Sequence, residues 1–466
     1  MLKICITGHR DLINSEDVRK DIAHSLQYFK EIDKDLLAIS AVAAGSDTLF
    51  AEEAFNQHIP LKLMLPFSIE EYRKDFKGME LYRLEKLLSA NEYEIVHPQN
   101  ISTADERNDA YLQTGKRMVD IADIVLAVWN GKPANGKGGT GDIVNYAVEK
   151  GKKVHYIKGI RIKKEGEEIE ADKAQATFDR MDSEAVKYKK RRFEPAWIAG
   201  IIAGILAVIS FATGLAFPLP HSLKFVFACC ELFFLFASFI LLGVYAKKWK
   251  NVFLVKRRGA EFLRTVLWYK DAGISIPKTG ETDYTPGAEM MTIEKEASES
   301  VNKISNIENS KRIAWCLAAE QVNYHQQTRI KRFSEKQEKM EKWLTLTKVI
   351  FFTAAPVSFL VEALEHFEIH VDWNIAAVKP FLLFLAITLP PLYAALEGIR
   401  YFGEWKRNIA ISRKIVHELK KVEDSILFCH DEQTLVVQAK ILRQILEIEN
   451  SDWAIRYEEK EVGSKI

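Results

Sequence analysis

Three short runs in the N-terminal third of this 466-residue chain combine glycine with residues able to hold an anion. The first, Thr7-Gly8-His9-Arg10, closes an apolar run. A glycine there lets a ligand approach the backbone, and Arg10 offers a planar fork for phosphate. An ordinary turn with an exposed arginine is the competing reading. The second, Ala44-Gly45-Ser46-Asp47, opens an apolar-periodic stretch, so Ser46 or Asp47 is expected to cap a helix, touch a ligand, or do both. The third, Gly136-Lys137-Gly138-Gly139-Thr140-Gly141-Asp142, carries the strongest signal. A glycine-rich turn feeding a helix start aims backbone N–H groups at an anion, and the helix dipole adds to the attraction. Because Lys137 precedes the glycines, the run is not a Walker A loop. Its place after a late strand separates it from the GxGxxG dinucleotide fingerprint.

The elements that must position these runs follow from periodicity. Apolar runs at 2–7, 36–43, 61–66, 93–97, 124–129 and 153–157 alternate with amphipathic stretches such as Ser15–Phe29 and Ser46–Asn56. Strands alternating with helices predict βαβ units, hence a Rossmann-like parallel sheet of the α/β class with helices on both faces. Ligands in such sheets gather beyond the carboxyl ends of the strands, where all three runs fall. Arg107 lies in a predicted helix ending near Asp123, as a solvated charge or as a fourth ligand contact.

The rest of the chain reads differently. Ala196–Phe217 and Phe225–Ala246 are long enough, at about 20 residues, to cross a ~30 Å hydrocarbon core. Val349–Val361 reaches that length only by starting near Trp343 and tolerating Lys348, and Val378–Leu396 contains Pro380, Pro390 and Pro391. Four spans are expected, with two spans and a re-entrant hairpin as the alternative. Basic clusters (187–192, 247–258, 331–342, 400–407) flank the spans, whereas the hairpin loops 218–224 and 362–377 hold one lysine and mainly acids or histidine. By the positive-inside rule both hairpins enter and leave from the cytoplasm, where both chain ends also lie, which predicts a multi-pass protein of a bacterial inner membrane. Glu231, an acid well inside a span, is a pore or gate residue, is neutralised by protonation, or is paired with a hydroxyl such as Ser210 or Thr213.

Lys+Arg 65 against Asp+Glu 64 gives no global charge to recruit nucleic acid. The five cysteines form no CxxC pair, so neither a metal knuckle nor a disulfide framework is expected. The N-terminus turns polar after six residues, unlike a signal peptide. The predicted organisation is a nucleotide-sensing domain at 1–160, a charged linker helix at 161–192, a first hairpin at 193–248, a helical segment at 249–342, a second hairpin at 343–398 and C-terminal helices at 399–466.

Thr7–Arg10, Gly45–Asp47, the run Leu65-Pro66-Phe67 followed by Glu71-Tyr72-Arg73-Lys74-Asp75-Phe76, and Gly138-Gly139-Thr140 together resemble the SLOG superfamily. That group contains the lonely-guy cytokinin-activating hydrolases and the DprA-type DNA-processing proteins. The two basic-flanked hairpins, each returning into an amphipathic helix, resemble SLATT-type two-span modules, with four ordinary spans as the plainer alternative. These resemblances imply a homo-oligomeric anti-phage effector that binds a nucleotide second messenger and acts on the lipid bilayer in abortive infection. The messenger would be a cyclic oligonucleotide or an NAD-derived product such as a cyclic ADP-ribose, made by a nucleotidyltransferase or a TIR-domain protein. Gly8, His9, Arg10, Gly45, Ser46, Asp47, Arg107 and Gly138 through Asp142 would be the ligand contacts. The hydrolases' PGGxGTxxE run has no counterpart here: no proline precedes the glycines, and Asp142 stands as the nearest acid. The departure points to binding without turnover and without a cofactor, with nucleotide N-glycosidic hydrolysis as the competing activity.

Overall fold

The computed structural model describes residues 1–97, 101, 103–134, 137–161, 173–274, 288–299, 306–367 and 375–462. All six apolar runs are strands: β1 Leu2–Gly8, β2 Leu36–Ser40, β3 Leu61–Leu65, β4 Tyr93–Ile95, β5 Ile124–Trp129 and β6 Lys153–Lys158. They form one parallel sheet in the order β4-β3-β2-β1-β5-β6. The interior strands β1, β2, β3 and β5 are mostly apolar because an interior parallel strand is covered on both faces, whereas the edge strands β4 and β6 carry Glu94, Lys153 and Lys158. Along β1, Ile4 and Ile6 enter the core on the side of helices α1 (Ser15–Ile32) and α2 (Ser46–Asn56), while Cys5 enters the opposite core. Short helices α3 (Ile69–Tyr72) and α4 (Met79–Ala90) follow β3, and α5 (Ala104–Ile121) and α6 (Thr140–Glu149) flank β5. Strand order reverses between β1 and β5, the switch point at which doubly wound sheets bind ligands.

Beyond the sheet lie four helices long and apolar enough to cross a membrane: Lys173–Ala216, His221–Ala272, Ile307–Leu364 and Val378–Leu427. The second hairpin therefore has the same capacity to span as the first, and the helix continues through Pro356 in the third and through Pro380, Pro390 and Pro391 in the fourth. In the fourth, Glu404 adopts a left-handed conformation (φ 43) between the apolar part and the helix Trp405–Leu427. Trp373 and most of the 273–287 loop fall outside the described residues. The helices run far past the apolar windows. At 1.5 Å per residue, Trp268 in the second long helix lies about 33 Å beyond Ala246.

These extensions dock on the sheet. One hydrophobic cluster runs from Ile4, Tyr28 and Phe29 through Tyr269, Trp315 and Leu317 to Leu419 and Leu442. The ring of Tyr28 meets that of Trp315 at 5.6 Å. The third long helix also covers the exposed edge of β6 with side chains one turn apart. Tyr156 N donates to Asn309 Oδ1 (2.8 Å), and its carbonyl accepts from Arg312 Nη2 (2.5 Å). Asn306 Nδ2 reaches the Val154 carbonyl at 3.3 Å. A free strand edge carries unpaired backbone groups, and here polar helix side chains pair them.

Candidate functional site

The site is built around the carboxyl ends of β1 and β5. Gly8 ends β1, and a Cβ there would lie 2.5 Å from Ser46 Oγ and 2.8 Å from Val128 Cβ, so no larger residue fits. Gly45 has φ +86, and a Cβ on it would meet the Arg10 carbonyl at 2.2 Å. The two turns are bolted together: His9 O accepts from Ser46 N (3.2 Å) and from Ser46 Oγ (2.8 Å). The expected capping role of Ser46 or Asp47 is corrected here. Gly45 is the N-cap of α2 and no side chain caps it, because Ser46 is committed to His9.

Helix α6 begins at Thr140, with Gly139 as N-cap and Gly138 at φ +82. Asp142 turns back on this loop, its Oδ2 accepting from Gly138 N at 3.0 Å. Thr140 Oγ1 lies 3.5 Å from His9 Nδ1, and His9 Nε2 accepts from Asn130 N at 3.2 Å. With Nε2 accepting, the neutral ring carries its proton on Nδ1, facing Thr140. Burial holds His9 below its ordinary range, and the charge of Arg161 adds to this. Gly136 falls outside the described residues; Lys137 is ion-paired to Asp109 at 2.5 Å.

These turns open onto a cleft of about 1740 Å³. Gly8, His9, Arg10, Asp47, Gly138, Gly139, Thr140 and Gly141 line it, so eight of the twelve expected ligand residues come together. Gly45 and Ser46 support that wall from behind, and Asp142 shapes the glycine turn. Arg107 is elsewhere. Its guanidinium bridges Glu71 and Asp75, each at 2.6 Å, and lies 4.4 Å from the Phe67 ring centroid. It braces the Phe67–Phe76 segment, whose Asp75 also accepts from the Tyr111 hydroxyl. Arg10 reaches this brace through the face of Tyr111, 4.8 Å from its centroid.

The opposite wall was not expected from motifs. It is supplied by α1 and the long helices: Asp21, Gln175, Asp179, Trp268, Asp271 and Arg312. Arg312 is 3% exposed, and its Nη1 donates to Ser25 Oγ at 2.7 Å. Asp21 is exposed at the surface of the cleft, and the protein packed around it still raises its carboxyl, to about 7, against the opposing pull of Arg312. Asp47 on the sheet wall is likewise raised to about 7 by burial, opposed by Arg10. Polar residues recurring on an otherwise buried stripe of the third long helix were the available signal for the helical wall. In the first membrane pair, Thr213 donates to its own helix at Ile209 O (2.7 Å), and neither it nor Ser210 bonds Glu231.

No protein-family model matches the chain, and no curated protein matches it. Among solved structures the chain is similar to the X-ray structure of DNA processing protein A (DprA) from Streptococcus pneumoniae. The two are 15% identical over 34% of this chain and 51% of that one, with a TM-score of 0.25. The match spans about half of the DprA chain; the Rossmann-like fold is established by the strand order itself.

Proposed function

We propose that the cleft binds a phosphate-bearing nucleotide messenger and that its occupancy is transmitted along the long helices to the bilayer. The observation that carries this reading is the composition of the cleft: one wall is made of anion-binding turns, the other of helices that continue into the apolar spans. A ligand touching both walls binds one arrangement of the helices better than another, which is the requirement for driving a conformational change. The protein is then a SLOG-type sensor fused to SLATT-like spans, a homo-oligomer in a bacterial inner membrane with cytoplasmic termini. Depolarising that membrane would arrest an infected cell. A cyclic oligonucleotide or a cyclic ADP-ribose-type product, supplied by a nucleotidyltransferase or a TIR-domain enzyme, fits the phosphate turns.

The test uses the full chain in detergent, because the core is continuous between sheet and helices. A panel of cyclic oligonucleotides and NAD-derived cyclic products should contain one that raises the unfolding temperature, following RT ln(1 + [L]/Kd). Arg10→Ala and Gly139→Asp should abolish that rise, the latter by placing a carboxylate at the α6 N-terminus. No rise with any member of the panel sinks the proposal. Nucleotide N-glycosidic hydrolysis remains a second reading on one observation, the raised carboxyl of Asp47 in the cleft, which suits a general acid. Release of free base from nucleoside monophosphates or NAD, lost in Asp47→Ala, would replace the sensor reading with the enzyme.

A further inference from the structure

Asp47 is the cleft group with the least support from its own chain. Its side chain is on the cleft wall and the residue is 7% exposed. Among the described residues no donor bonds its carboxylate and no cation pairs with it; only its backbone carbonyl is bonded, accepting from Ser40 Oγ at 3.1 Å. The groups facing it are Cys5 of β1, Arg10 after β1 and Tyr72 of α3. Burial keeps the Cys5 thiol and the Tyr72 hydroxyl protonated, and Tyr72 donates to Ala41 O (2.8 Å) instead. Arg10 is therefore the charge that compensates Asp47, at a distance and without bonding it. Buried carboxylates are ordinarily hydrogen-bonded. Donors from outside the chain would complete this one.

The phosphate turn is close by. Thr140 touches His9, and His9 is bonded by Ser46, the residue before Asp47. The carboxylate and the start of the ten-residue helix α6 both line this cleft.

We propose that Asp47 reads the sugar of a nucleotide whose phosphate rests on the Gly138–Thr140 turn, its two oxygens accepting from the 2′- and 3′-hydroxyls of a ribose. This rests on the nucleotide reading above and narrows it to ligands with a free vicinal diol, such as an NAD-derived product, since a cyclic oligonucleotide has one of the two hydroxyls of each ribose esterified. An ionised carboxylate offers two acceptors and no donor, which matches a vicinal diol. Arg10 already supplies the positive charge, so an ammonium group or a divalent cation at the same place would meet repulsion that neutral hydroxyls avoid. Trp129 and Tyr156, whose rings lie 6.1 Å apart on the β5–β6 side of the cleft, leave aromatic surface for the base.

The experiment titrates the full chain in detergent with AMP, 2′-deoxy-AMP, 3′-deoxy-AMP and adenosine, reading heat. The wild-type protein should bind AMP about tenfold to a hundredfold more tightly than either deoxy form, the range that a hydrogen bond to a charged acceptor supplies. Asp47→Ala should weaken AMP by a similar factor and make the three nucleotides equal, while AMP stays tighter than adenosine because the phosphate turn is intact. Asp47→Asn, isosteric with the native side chain, should show the same loss of discrimination if the alanine variant does not fold. Equal wild-type affinity for AMP and its deoxy forms, with the phosphate preference retained, overturns the sugar assignment alone. So does discrimination that survives in both variants. A wild-type protein that binds none of the four overturns the sugar assignment, and the nucleotide reading falls with it only if the panel of cyclic messengers also gives no rise in unfolding temperature.

Discussion

The two walls of the cleft are built on opposite principles. The sheet wall is backbone: glycines at Gly8, Gly45 and Gly138 allow turns to pack within contact distance, and bonds through His9 and Ser46 lock them. The helical wall is side chain: Trp268, Asp271 and Arg312 project from helices whose far ends are apolar. A backbone wall holds a fixed shape, because its donors cannot rotate away. A wall of side chains on separate long helices changes whenever those helices shift. On the proposed function, anion capture would fall to the first wall and transmission to the second.

The largest effect should come from the sheet wall and grow with pH. Below its ordinary range near 3.8, Asp47 is protonated in both folded and unfolded chains and carries no cost. Above about 7 it is ionised in both, and the buried charge carries its full cost, so stability from this group falls between those limits. The interval corresponds to at most ~4 kcal/mol. Asp47→Asn should therefore raise the unfolding temperature at pH 8.5 and leave it nearly unchanged at pH 4. No gain at pH 8.5 would show that the carboxylate is already satisfied. Next is Gly45→Val, which places a β-branched side chain at φ +86 against the Arg10 carbonyl and should cost about 3 kcal/mol. Gly131→Ala, also at positive φ (+77) but with nothing within 4 Å, should cost only about 1 kcal/mol. Equal melting shifts for the two would mean that the sheet wall is not locked.

On the helical wall, Arg312→Met keeps the volume and removes the bonds to Ser25 and to the Tyr156 carbonyl. Buried groups left unsatisfied cost ~2 kcal/mol. The contrast is sharpened by a second readout. Messenger-induced heat of binding should persist, while messenger-induced leak from liposomes containing the protein should fall. Loss of binding with coupling intact would reverse the assignment of the walls.

Sequence alone exposed one wall and concealed the other for the same physical reason. Interior parallel strands are apolar on both faces, so β1 and β5 stand out as continuous runs, and close turns demand glycine, so Gly8 and Gly138–Gly141 mark themselves. Ser46 and Asp47 stand out as helix caps or ligand contacts, and only the capping half is corrected, since Gly45 is the N-cap. Asn306, Asn309 and Arg312 look like an ordinary polar helix face. Their partner is the edge of β6, more than 150 residues earlier, and nothing local announces a docked strand. Arg107 was singled out by position, but its salt bridges depend on Glu71 and Asp75 being brought across from the segment after β3. The spans were legible because an uncharged stretch of that length has few alternatives. Their continuation as rigid rods to the cleft was not, because charged helix and linker have similar composition.

The smallest effect is expected at Glu231, where the two regions differ most in how they treat a carboxylate. Asp47 is enclosed by its own chain, whereas Glu231 lies in the second long helix, none of whose most apolar window is buried within the protein. No hydroxyl of the neighbouring span bonds it, since Thr213 is committed to Ile209. Glu231→Gln removes no hydrogen bond or ion pair among the described residues, so its effect on unfolding in detergent should stay within about 0.5 kcal/mol. An ionisable group at that depth is costly in lipid unless it faces water or another polar surface. If copies of the protein assemble around a wet path, the neutral variant should alter the ion selectivity of messenger-induced leak while leaving messenger affinity unchanged. Unchanged selectivity would remove Glu231 from the path and leave the apolar helices themselves as the agents of membrane disruption. A stability loss well above 0.5 kcal/mol would reveal a partner for the acid inside the assembled spans.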